Sequence, residues 1–299
     1  MVAPGADDQV TARSLLDVRA PVDAELRGFL ADRRAEVFGV DPSAVVLVEE
    51  VLRLLSAGGK RIRPAMCVWA HRAAGGSDGP VIVRAAAALE LLHTFALIHD
   101  DVMDRSLRRR GVDSTPAWFA GRAPPSVDPQ THGVSVAILV GDLAAALADR
   151  LMRTCGASEG PLRVALGRFD RMRVEMAAGQ LLDLQGLGAG PNAERVASLK
   201  TASYTTEGPV LVGTALAEAR PGIEEPLRRY ASLLGEAFQL RDDVLDGDAG
   251  PDAADRVNAL VGRALAELEG APLAAHGAAG LAELASLLRI DVAQARDPR

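Results

Sequence analysis

The chain has 299 residues, room for one large domain or two smaller ones; 48% are hydrophobic and only 3% aromatic, so any core is built from Ala, Leu and Val. That bias favours helices and is poor in strand formers. Thirty-three basic residues against 40 acidic ones leave a net charge of −7, which argues against general nucleic-acid binding. Cys67 and Cys155 suggest no disulfide framework and fit a reducing cytosol. The N-terminus lacks the basic and apolar regions of a signal peptide, and no uninterrupted apolar run reaches a membrane span. These features predict a soluble, cytoplasmic protein.

Residues 1–20 read as a flexible arm or a partial first helix. From Val22 to about Phe38 the spacing of Leu26, Phe29, Leu30 and Val37 fits an amphipathic helix, and after Asp41-Pro42-Ser43 a second runs from Ala44 to Leu55. Gly58-Gly59-Lys60-Arg61-Ile62-Arg63-Pro64 follows. Such a turn can present backbone N–H groups and positive charge to an anion, although an ordinary basic turn is the commoner case. A helix from about Ile82 then closes on Asp100-Asp101-Val102-Met103-Asp104. Its carboxylates stand on neighbouring positions of one face, where like charges repel, and at the helix end that the macrodipole makes hostile to anions.

A solvated acidic face is the usual fate of such a cluster, but here it ends a helix of Ala, Leu, Phe and Ile. A bound cation would remove the repulsion, and carboxylate oxygens suit Mg²⁺. His93 lies seven residues before Asp100, two turns up on nearly the same face, where a satisfied core histidine is the more frequent reading. His99 receives no role.

Residues 112–133, rich in Pro, Gly, Ser and Asp, read as a long surface connection. An apolar helix over Val134–Thr154 is interrupted at Gly141-Asp142, and another runs from Leu162 to about Leu184, ending in Gly179-Gln180-Leu181-Leu182-Asp183. Lys200 and Thr201 sit in a hydroxyl-rich apolar helix from Glu194 onward, and Lys200 is one of only two lysines. Gly208–Ala219 and Glu224–Asp246 are further helices. The second carries Gln239-Leu240-Arg241-Asp242-Asp243-Val244-Leu245-Asp246, the same acidic spacing as before, again just before a Gly. Val257–Leu268 and Ala274–Val292 are the last helices.

With these motifs in order between about Val22 and Asp246, the chain resembles the trans-isoprenyl diphosphate synthases, the polyprenyl synthetase family. The resemblance implies an all-α fold, a single large helical bundle over residues 1–299 with a central cavity and the two acid clusters facing each other at its mouth, and usually a homodimer. It implies that Asp100, Asp101, Asp104, Asp242, Asp243 and Asp246 hold Mg²⁺, three ions per site. By the same resemblance Lys60, Arg63, His93 and Arg110 bind isopentenyl diphosphate. Arg109, Gln180, Lys200, Thr201 and Gln239 serve the allylic diphosphate, with Lys200 among the catalytic groups.

Phe95 five residues before the first aspartate and Ala96 four before it are similar to the geranylgeranyl diphosphate synthase pattern, with Leu92 and Leu89 further along the prenyl track. A farnesyl or longer product is the nearest alternative. A terpene cyclase would differ in its second metal motif and would not need the second set of cations. A non-catalytic partner subunit usually loses aspartates that are intact here. The family pattern departs after Asp246: its lysine-bearing loop is absent, which implies a missing or deleted segment near 247–254.

Overall fold

In the computed structural model, residues 12–187, 195–196, 198–247, 249–250 and 252–291 are described; for Lys200, Thr201 and Ala202 the description stops at the backbone. The fold is all-α, as the composition predicts, with one two-residue-by-two-residue hairpin as its only sheet among the described residues. The chain divides into two compact units, each assembled from discontinuous segments: the first from residues 1–18, 62–82 and 156–299, the second from 19–61 and 83–155.

In the second unit, α1 (Arg13–Val40, from residue 19 onward) is followed by a 3₁₀ turn at Pro42–Ala44, which Asp41 caps by accepting from the Ser43 N–H, and by α2 (Val45–Ser56). α2 buries Val45, Val48, Val51, Leu54 and Leu55 on one stripe, and each such side chain contributes on the order of 2 kcal/mol of transfer free energy. Next come α4 (Pro80–Met103, from residue 83 onward), strands β1 (Arg108–Arg109) and β2 (Val112–Asp113), α5 (Thr115–Ala120) and α6 (Pro129–Arg153). α6 packs on both α2 and α5.

Two expectations change here. Residues 112–133 are not one long connection. Ser114 and Asp128 are helix N-caps followed by Pro116 and Pro129 near the helix starts, so what reads as loop composition is capping composition. α6 also runs unbroken through Gly141. A Cβ there would lie 2.2 Å from His99 Nε2, so this glycine admits the α4 imidazole rather than ending the helix.

The first unit contains α3 (Ile62–Ala73), α7 (Glu159–Leu184), a π-helical segment (Ser198–Glu207), α8 (Gly208–Leu216), α9 (Glu224–Asp246), α10 (Ala253–Glu269) and α11 (Ala275–Ser286). α9 buries Leu227, Tyr230, Ala231 and Leu234 against α10 and the π-helical segment, while α3 packs on α8 and α11. The fully buried Tyr230 donates to the Leu281 carbonyl at 2.7 Å, and burial pushes its phenol well above the ordinary range. Ser203, Tyr204, Thr205 and Thr206 point from the π-helical segment to three neighbours. Ser203 bonds Glu175 on α7, Thr205 and Tyr204 meet Arg63 on α3, and Thr206 donates to the Ala231 carbonyl on α9.

Among the described residues one helix, α4, is long and apolar enough to cross a membrane by length and composition, with 61% of its apolar window buried. Reading for an uninterrupted apolar run passes over it because Arg84 and Glu90 punctuate its Ala/Leu stretch.

Candidate active site

The first acid cluster terminates α4. The Asp104 N–H still bonds the Asp100 carbonyl at 2.8 Å; Arg105 then turns left-handed at φ +53°, and the Ser106 N–H returns to the Asp101 carbonyl at 3.0 Å, closing the last turn without a glycine. Asp100 is half-buried, Asp104 exposed and Asp101 fully buried. Four residues on, β1 and β2 pair antiparallel with Arg109 opposite Val112, joined by Arg110-Gly111 with φ of +51° and +78°. Positive φ at both central residues is the two-residue hairpin turn whose twist matches the strands.

That hairpin aims two adjacent arginines at different partners. Arg109 donates to Asp101 Oδ1 from Nε at 2.9 Å and from Nη2 at 2.6 Å. The other oxygen, Oδ2, is buried with no hydrogen-bond partner. Burial pushes the Asp101 carboxyl up, with Arg109 opposing and Asp104 adding to the rise; burial alone would lower the Arg109 guanidinium, but its bond to Asp101 raises it. Arg110 donates to the Gly58 carbonyl and lies 3.4 Å from His93 Nε2. A guanidinium cannot accept, so Nε2 is the acceptor in any hydrogen bond between the two. The exposed Lys60, His93, Arg110 and the Asp100–Asp104 cluster thus all belong to the second unit, with His93 and the acids on the one rod α4.

Arg63 belongs to the first unit. It donates to Thr205 Oγ1 at 2.7 Å and stacks over the Tyr204 ring at 4.1 Å. The second acid cluster, also in the first unit, terminates α9, whose C-cap Gly247 is left-handed at φ +82°. Asp242 and Asp243 are half-buried and Asp246 exposed, and Gln239 Nε2 donates to Asp243 Oδ1 at 3.0 Å. Gln180 is half-buried on the last turns of α7. The backbone of Lys200 and Thr201 lies in the π-helical segment, and their side chains are outside the described residues.

On α4, Leu89 and Leu92 are fully buried, whereas His93, Phe95, Ala96 and Asp100 keep part of their surface accessible. Phe95 packs edge-on against His99 at 4.8 Å. The accessible track next to the first cluster is therefore Ala96 and His93 flanked by Phe95, with the leucines sealed behind it.

The residues in the range 45–258 match the sequence pattern of the polyprenyl synthetase family. The chain belongs to that family. It is 32% identical over 237 residues to the all-trans-nonaprenyl-diphosphate synthase (geranyl-diphosphate specific) of Rhodobacter capsulatus, covering 77% of this chain and 65% of that one. Identity to the octaprenyl diphosphate synthase of Escherichia coli is 36% over 200 residues, covering 66% and 56%. Against these curated relatives the chain therefore spans less than two thirds of their length. The structure superposes on a geranylgeranyl pyrophosphate synthase from Corynebacterium glutamicum, crystallised with isoprenyl diphosphate and magnesium, with a TM-score of 0.80 at 24% identity over 88% of this chain and 96% of that one. The fold is thus that of this neighbour.

The donor chemistry of both clusters fits Mg²⁺: carboxylate oxygens alone, including the orphaned buried Oδ2 of Asp101 between two accessible aspartates. Among the described residues no three acidic, histidine or cysteine side chains converge as a preformed cage. Reasoning from sequence alone missed Arg61, Asp23 and Glu90. Arg61 is buried, bonding Asp23 and Glu90 at 2.8 and 2.9 Å. The only sequence signal for it was its place directly after the Gly58-Gly59-Lys60 turn.

Proposed function

We propose that this chain is a Mg²⁺-dependent, cytoplasmic trans-prenyltransferase that joins isopentenyl diphosphate head-to-tail to an allylic diphosphate. Family membership supports the reaction class, and the observation that carries the reading further is the make-up of α4 with its hairpin. One rigid element bears an imidazole beside a cationic cradle and, two turns on, a carboxylate cluster. That is what a substrate pair with one diphosphate held by cations and another held through metal requires.

Lys60, His93 and Arg110 bind the diphosphate of isopentenyl diphosphate, and Arg63 adds to that set if it releases Thr205. Asp100, Asp101 and Asp104, with Asp242, Asp243 and Asp246, hold Mg²⁺, three ions in all. Bound Mg²⁺ supplies the Lewis acid that neutralises diphosphate as it leaves. Arg109 keeps Asp101 in place and, with Lys200, Thr201, Gln180 and Gln239, orients the allylic diphosphate. Attack of the isopentenyl double bond on the allylic carbon is followed by loss of a proton, which the departing diphosphate accepts, so no side chain serves as base.

We assign geranylgeranyl diphosphate as product on the strength of Phe95 and Ala96. Family membership supports a homodimer. Incubating the protein with Mg²⁺, isopentenyl diphosphate and dimethylallyl, geranyl or farnesyl diphosphate, then separating products by chromatography, tests the reading. Linear C20 diphosphate is the expected result. Cyclic hydrocarbon or no condensation with any allylic partner overturns it.

We read the departure from the family pattern near 247–254 as a deletion: the sequence runs without a gap from Asp246 to Ala254 and carries no lysine there.

A further inference from the structure

The Gly58-Gly59-Lys60 turn is held in an unfavourable shape. Gly58 and Gly59 sit at φ +114° and +134°, and the next non-glycine after Lys60, Arg61, is itself left-handed at φ +55°. A long side chain rarely adopts that conformation unless its surroundings over-determine it. They do so here. The Arg61 guanidinium, 3% exposed, donates to Asp23 on α1 at 2.8 Å, Glu90 on α4 at 2.9 Å, the Leu55 carbonyl on α2 at 2.8 Å and the Gly58 carbonyl at 3.3 Å. Three helices and the turn therefore meet on one planar cation, and Glu90, 2% exposed, is its buried counter-charge.

The Gly58 carbonyl is also the acceptor for Arg110. Two guanidinium groups consequently converge on one oxygen, and between them lies Gly59, where a Cβ would stand 2.8 Å from Arg61 Nη1 and 2.9 Å from Arg110 Nη1. Like charges gathered this closely repel each other unless anions offset them. Asp23 and Glu90 do this for Arg61. Arg110, on the other side of Gly59, faces His93.

We propose that Arg61 is a positioning residue for diphosphate binding: it sets the Gly58–Lys60 turn and, through the shared Gly58 carbonyl, the direction of Arg110, without touching substrate itself. Asp23 and Glu90 are its supports. The inference rests on the prenyltransferase reading and adds to it a residue outside the cradle it describes.

The test compares Arg61→Lys with Glu50→Gln. Lysine keeps the charge but cannot reach four acceptors in three directions. Glu50 is equally buried in the same unit and is bonded to Arg53 and Thr115, away from the turn, so its variant reports loss of a buried charge network alone. Isothermal titration with isopentenyl diphosphate, well below each variant's melting temperature, is the readout, together with KM and kcat for each substrate.

Arg61→Lys is expected to weaken isopentenyl diphosphate binding about tenfold, as misplacement of a binding group does, and to leave KM for the allylic substrate unchanged. Glu50→Gln lowers melting temperature but not affinity. Equal affinity in wild type and Arg61→Lys overturns the inference alone, and so does equal weakening by Glu50→Gln. Folded wild-type protein that binds no isopentenyl diphosphate overturns the prenyltransferase reading and this inference with it.

Discussion

The two acid clusters have the same spacing and nearly the same sequence, Asp100-Asp101-Val102-Met103-Asp104 and Asp242-Asp243-Val244-Leu245-Asp246, but their settings differ. At the first, the middle aspartate is fully buried and gripped by a guanidinium from a hairpin that begins seven residues later. At the second, the middle aspartate is half-buried and takes a neutral amide from Gln239, one turn back on the same helix. The first helix ends on a left-handed arginine and the second on a left-handed glycine. Equal motifs therefore do not mean equal mechanics. The first cluster is anchored to its unit by a charged, tertiary contact, whereas the second carries a local contact that α9 alone can form.

The largest expected effect treats the clusters as equal. If each supplies Mg²⁺ ligands, Asp100→Ala and Asp242→Ala each lower turnover on the order of a thousandfold. Neither opens a core cavity, since both side chains are only half-buried, so the helical circular dichroism should be unchanged. A near-normal condensation rate in either variant breaks the symmetry and leaves one cluster as a structural feature.

The next effect separates them. Removing Arg109 leaves the buried Asp101 carboxylate without its cation, and Arg109→Met should cost about 3 kcal/mol in urea unfolding. Gln239→Leu removes a neutral, partly solvated bond and should cost less than about 1 kcal/mol. The double variant Arg109→Met with Asp101→Asn recovers much of the loss, because no unpaired charge remains. Similar costs for Arg109→Met and Gln239→Leu would mean that the two clusters are anchored alike.

Much of this was legible in the sequence because it depends on neighbours along the chain. The second cluster's helix, Glu224–Asp246, has the boundaries its apolar stripe and Gly247 predict. The end of α4 was off by one residue, since Asp104 is the cap rather than the last helical residue. What could not be read depends on residues distant in sequence. Gly141 looks like a helix break until His99 is seen to fill its missing Cβ, and Arg61 looks like one more surface cation until Asp23 and Glu90 close around it. The Asp101–Arg109 bond was hidden for a subtler reason. It needs Arg110 in a left-handed turn, a conformation that sequence rules reserve for Gly, Asn or Asp. The π-helical segment after Ser198 likewise has no periodic signature of its own, being held by side-chain bonds to three neighbouring helices.

The smallest expected effect is on product rather than rate, and it belongs to the first cluster's helix alone. Ala96 stands one turn before Asp100 and keeps accessible surface, while Leu92 and Leu89 below it are sealed. A prenyl chain growing away from the first cluster along α4 must pass position 96, where a methyl group leaves room and a ring does not. Phe95 packs against His99, which in turn fills the space over Gly141, so Phe95 cannot yield towards α6. Ala96→Phe should therefore shorten the product, with overall turnover changed by no more than about tenfold. Product lengths read by chromatography decide it, and an unchanged distribution would move the floor of the track off α4.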